Sequence, residues 1–76
     1  MWIGPNANQQ VPMLNNSSDI IRRLEREGWE CVRIVGSHHV FKKPGVRDNI
    51  SVPHPKKSFG PGLVLKIYKQ AGWPRD

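Results

Sequence analysis

Two adjacent imidazoles, His38 and His39, follow a glycine and a hydroxyl in the stretch Gly36-Ser37-His38-His39-Val40-Phe41. Imidazole titrates near neutral pH, so either ring can take or give a proton under ordinary conditions. The runs on each side, residues 30–35 and 38–43, read as strands, and a two-residue Gly-Ser link suits a tight hairpin turn. Side chains alternate across a strand, which puts His39 with Phe41 on one face and His38 with Val40 and Lys42 on the other. A two-residue turn sets Val35 opposite His38 and Val32 opposite Phe41. Val32, Ile34 and Phe41 then form the better core face, and His38 is left beside Arg33 and Lys42, both of which attract phosphate.

The whole chain has the same bias. Its formal charge of +6 and isoelectric point near 10.1 favour a polyanionic partner, nucleic acid before a membrane surface. RNA carries its own nucleophile in the ribose 2′-hydroxyl, and a group that titrates near neutrality can remove that proton. His38 is therefore expected to act as general base or acid in a metal-independent cleavage, leaving a 2′,3′-cyclic phosphate and a 5′-hydroxyl. Arg33, Lys56 and Lys57 would bind phosphate or stabilise developing charge. Gly36 would let the RNA backbone approach, and Ser37 would orient the imidazole or a phosphate. His39 is read as a structural or RNA-positioning residue, and His54 as either a phosphate contact or loop packing.

Three other readings compete. His38 can be an exposed strand-end histidine with no role, and the domain can be a double-stranded-RNA-binding module without catalysis. A metal site from Cys31, His38, His39 and His54 is the least favoured. Neighbouring strand histidines point to opposite faces, and no metal-binding Cys-x-x-Cys or helical His spacing is present. The carboxylates, Asp19, Glu25, Glu27, Glu30, Asp48 and Asp76, are not clustered to hold magnesium. No metal and no cofactor is expected.

Seventy-six residues make one domain, with little room for a large pocket. At 37% hydrophobic and 24% charged residues the composition is that of a globular chain rather than a disordered one. The lone Cys31 excludes an internal disulfide and reads as a small buried or half-buried strand residue. No stretch is apolar enough to span a bilayer, and a cytoplasmic location is the default expectation. Residues 1–14 carry no charge and no steady period, and read as an N-terminal extension outside the fold, with Met13 a candidate natural start.

The elements that position the histidines follow in order. A first helix is expected to start at a Ser17 or Ser18 cap, bury Ile20, Ile21 and Leu24, and stop at Gly28, with Arg22, Arg23 and Arg26 on its solvated side. Trp29 is a core or boundary aromatic leading into the hairpin. Residues 44–49 read as a turn and 50–52 as a third strand, with Pro53 ending it or marking an edge. After a basic loop holding Lys56 and Lys57, a second helix enters through Pro61, buries Leu63, Val64, Ile67 and Ala71, and stops at Gly72. Residues 74–76 are a tail. The expected fold is α+β, ordered α-β-β-β-α, with both helices on one face of a three-stranded antiparallel sheet, the order of double-stranded-RNA-binding domains.

From Ser17 to Trp73 the chain resembles the HicA toxins of bacterial HicA–HicB toxin–antitoxin systems. The resemblance is carried by Arg26 to Trp29, Val32-Arg33, the Gly36-Ser37-His38-His39 hairpin, Val52-Pro53-His54 and Lys69-Gln70-Ala71-Gly72. It implies a double-stranded-RNA-binding-domain-like fold and an mRNA interferase that cleaves mRNA without needing the ribosome. It also implies a catalytic histidine directly after the Gly-Ser turn, here His38, and silencing by a HicB antitoxin. The N-terminal extension departs from typical members.

Overall fold

The structure is a computed structural model that describes residues 13–75. Its elements are helix α1 (Ser17–Arg26), strands β1 (Glu30–Val35), β2 (His38–Lys42) and β3 (Ile50–Pro53), and helix α2 (Pro61–Ala71). The strands form one antiparallel sheet in the order β1-β2-β3, so β2 is central and β1 and β3 are edges. This is the expected α+β arrangement, consistent with a double-stranded-RNA-binding-domain-like fold. Among the described residues no helix is long and apolar enough to cross a membrane.

Local sequence accounts for the element ends. Asn16, rather than Ser17 or Ser18, caps α1: its side-chain oxygen accepts the Asp19 amide at 2.9 Å. The helix stops before Gly28, whose φ of 96° only glycine adopts cheaply. Pro61 opens α2, where its missing N–H costs nothing, and Gly72 closes it in the left-handed conformation.

The core joins Ile20 and Leu24 of α1, Phe41 of β2, Ile50 and Val52 of β3, and Val64, Ile67 and Tyr68 of α2. Trp29, Phe59 and Trp73, all outside the helices and strands, complete it. Met13 and Leu14, at the end of the segment read as an extension, lie against this core, and the Leu14 amide donates to the Tyr68 hydroxyl. Residues 1–12 of that segment fall outside the described residues, as does Asp76.

The first strand departs from expectation. All six residues of β1 are exposed, Val32 and Ile34 at 52% and 58%, so neither belongs to the core, and Cys31 is exposed rather than buried. Both helices pack against β3, leaving the far edge of the sheet uncovered. The register also slips: Cys31, not Val32, pairs with Phe41, because the ladder breaks between Cys31 and Arg33 and leaves Val32 as the extra residue of a β-bulge.

Candidate active site

The hairpin turn behaves as its residues suggest. Gly36 has φ 61° while Ser37 stays at negative φ, the signs of a type II′ turn, whose twist matches that of the flanking strands. Past the turn, Val35 pairs with His38, Ile34 with His39 and Arg33 with Val40. Paired residues share a face, so His38, Val35, Arg33 and Val40 lie on the side of the sheet away from the helices, and Lys42 joins them by alternation.

On β3, Val40 pairs with Ser51, which brings Ser51 onto the same open face. Its hydroxyl lies 3.4 Å from His38 Nδ1, at the long end of hydrogen bonding. The imidazole is exposed and held from one side, and Arg33 and Lys42 share its face. Ser51 was not singled out from the sequence, although its place between inward-facing Ile50 and Val52 marks it as outward-facing.

The other two imidazoles are on the helix side. His39 and His54 are half-buried and meet edge to face, with ring centroids 4.9 Å apart at 88°. His54 Nδ1 is 2.7 Å from the hydroxyl of Ser17, a side chain only 1% exposed at the start of α1. That hydroxyl accepts the Lys56 amide at 2.8 Å and lies 3.1 Å from the Lys56 carbonyl, which also takes the Ser17 amide at 2.9 Å. When Nδ1 carries a proton it donates to Ser17, whose own O–H can then turn to the Lys56 carbonyl. The same contacts therefore serve either tautomer of His54.

One further bond ties this cluster to the turn: the His54 amide donates to the Ser37 carbonyl at 2.7 Å. The segment after β3 is thus pinned to the hairpin at one end and to α1 at the other. Exposed Lys56 and Lys57 lie at the α1 end, with Asn16, Ser17, Ser18 and Pro55, around a cleft of about 420 Å³. The sequence-predicted residues accordingly fall in two groups joined by the Gly36-Ser37 turn. His38 and Arg33 lie on the open face, whereas His39, Lys56 and Lys57 lie toward the helices. Among the described residues, no three His, Cys, Asp or Glu side chains come together as a metal-binding group.

At the opposite end of α1, Trp73 Nε1 donates to Glu27 at 2.8 Å and Arg23 Nε to the other carboxylate oxygen at 3.2 Å. The Arg23 guanidinium also lies 4.2 Å above the Trp73 ring. Partial burial pushes the Glu27 carboxyl up, but the hydrogen bonds from Trp73 and Arg23 and the charges of Arg23 and Lys43 outweigh it. Its pKa is held below the usual carboxylate value. This cluster fastens the end of the chain to α1 and takes no part in the histidine face.

Residues 17–73, well over half of the chain, match the family model for the HicA toxin of bacterial toxin–antitoxin systems. No curated protein matches the chain.

Proposed function

The chain belongs to the HicA toxin family and is the toxin of a toxin–antitoxin system, and from that premise we propose that it is a metal-independent endoribonuclease, an mRNA interferase whose catalytic residue is His38. The observation that carries this reading is the exposed imidazole of His38 directly after the Gly36-Ser37 turn, on an open sheet face shared with Arg33.

The chemistry needs little else from the protein. His38 takes the proton of a ribose 2′-hydroxyl, and the oxygen attacks the adjacent phosphorus to form the 2′,3′-cyclic phosphate. The bond from phosphorus to the 5′-oxygen breaks, and that oxygen leaves with a proton from the imidazolium or from water. Arg33 offsets charge growing on the phosphate, and Ser51 restrains the ring through Nδ1. Gly36, with nothing within 4 Å of where a Cβ would stand, leaves the turn open to the RNA backbone, and Ser37 orients a phosphate there.

On this reading the strand passes from the open face over the turn to Lys56 and Lys57, which bind phosphates further along. His39 supports the RNA-binding turn through its packing on His54 rather than by touching the reacting atoms. The toxin acts in the cytoplasm, and its partner is an antitoxin of the HicB type. The test is cleavage of a defined RNA in the presence of a strong chelator, repeated with a single 2′-deoxy substitution at the cut position. The proposal expects cyclic-phosphate ends and no cut at the deoxy position. RNA bound but intact would favour the non-catalytic double-stranded-RNA-binding module.

A further inference from the structure

Of the large hydrophobic side chains exposed among the described residues, Val32, Ile34 and Val35 lie on one strand, and only Leu65, at 38%, lies elsewhere. That strand is the β1 edge, whose outer row of backbone N–H and C=O groups has no neighbouring strand among the described residues. Edge strands in monomeric proteins are usually blunted by charged side chains, proline, a β-bulge or a covering element. β1 has the bulge at Val32 and the charges of Glu30 and Arg33, but neither lysine nor proline, and the helices sit over β3 instead, so Val32, Ile34 and Val35 stay exposed along it. An uncovered apolar edge of this kind is suited to receiving another strand.

We propose that β1 is the docking edge for the antitoxin, which adds a strand of its own alongside β1 and continues the sheet. The occupant follows from three observations. A toxin of this family has an antitoxin as its protein partner. Val32, Ile34 and Val35 offer nothing to an RNA phosphate, and Arg33, the one cation of β1, lies on the open face with His38, so RNA fits that face rather than the strand edge. A second copy of this chain would bring together two molecules of formal charge +6, which repel.

The position also accounts for silencing. Adjacent strands lie about 4.8 Å apart, so a strand added to β1 stands roughly 10 Å from β2. Its side chains on the open face lie next to Arg33 and Val35, and Val35 is the pairing partner of His38. A protein anchored there closes the approach of an RNA backbone to the imidazole. The docking edge rests on the family assignment alone; only its consequence for His38 rests on the ribonuclease reading.

The test uses the full chain and its cognate antitoxin. Hydrogen exchange is followed at the β1 amides, free and in the complex, and affinity is compared with that of a V32S/I34S double variant. Both side chains are exposed and the change is neutral in charge. The proposal expects the outward β1 amides to slow at least 10-fold in the complex and the variant to bind at least 100-fold more weakly. β1 amides that exchange no more slowly in the complex would overturn it whatever the variant does, and so would affinity within two-fold of wild type. Protection of β1 by RNA alone, or a dimer of the free chain lost in the variant, would also overturn it by naming another occupant. Neither readout uses RNA cleavage, so an inactive wild-type protein would remove the ribonuclease reading and leave this one standing.

Discussion

Ser17 shows how much one oxygen carries in a small domain. Its hydroxyl meets His54 Nδ1 and both backbone groups of Lys56, and the residue is almost fully buried. Ser17→Ala leaves the Lys56 amide and the imidazole to find other partners, and is expected to destabilise the fold by about 1–3 kcal/mol in urea denaturation. Glu27 provides a pH-dependent counterpart. Its pKa is lowered in the fold, so its contribution is present above the unfolded carboxylate pKa and lost as pH falls through the lower folded value. The wild type should exceed Glu27→Gln in stability at neutral pH by about 0.5 kcal/mol, the scale of a partly exposed pair. The two should converge in acid, as measured by denaturation midpoints from pH 7 downward. A difference that persists in acid would assign the effect to packing rather than charge.

Among the elements, the hairpin was the most legible in the sequence. Gly36-Ser37 sets the turn, alternation separates His38 from His39, and the Val35–His38 pairing follows without tertiary information. Gly36→Val should test that dependence, since a β-branched residue at φ 61° costs about 1–2 kcal/mol, seen as a lower melting temperature. The first strand was less legible for a physical reason. Val32 and Ile34 look like a core face because alternation reports which side chains are apolar, not which strand the helices cover. Nor does any glycine mark the bulge at Val32. The contacts of Ser17 with His54, and the burial of Phe59, Tyr68 and Trp73, join residues far apart in the chain and lie beyond local pattern. Arg23, expected on a solvated face, pairs locally with Glu27 four residues on, but gains its aromatic partner only because Trp73 folds back onto α1.

At the scale of the whole molecule, placing both helices on one side of the sheet leaves the other side open, and the domain is too small to build a deep pocket beneath it. A long polyanion lying across a cationic surface fits such a shape better than an enclosed small substrate does. The face that presents His38 and the edge proposed for the antitoxin are then neighbouring parts of one sheet, so activity and its silencing share a scaffold. The account as a whole turns on His38. Purified wild type and His38→Ala, incubated with the same defined RNA in chelator, should differ by at least about 100-fold in cleavage, as expected for loss of a general acid or base. Because the side chain is exposed, their melting temperatures should agree. Equal cleavage by the two proteins, with the same product ends, would contradict the assignment and move the chemistry to another residue.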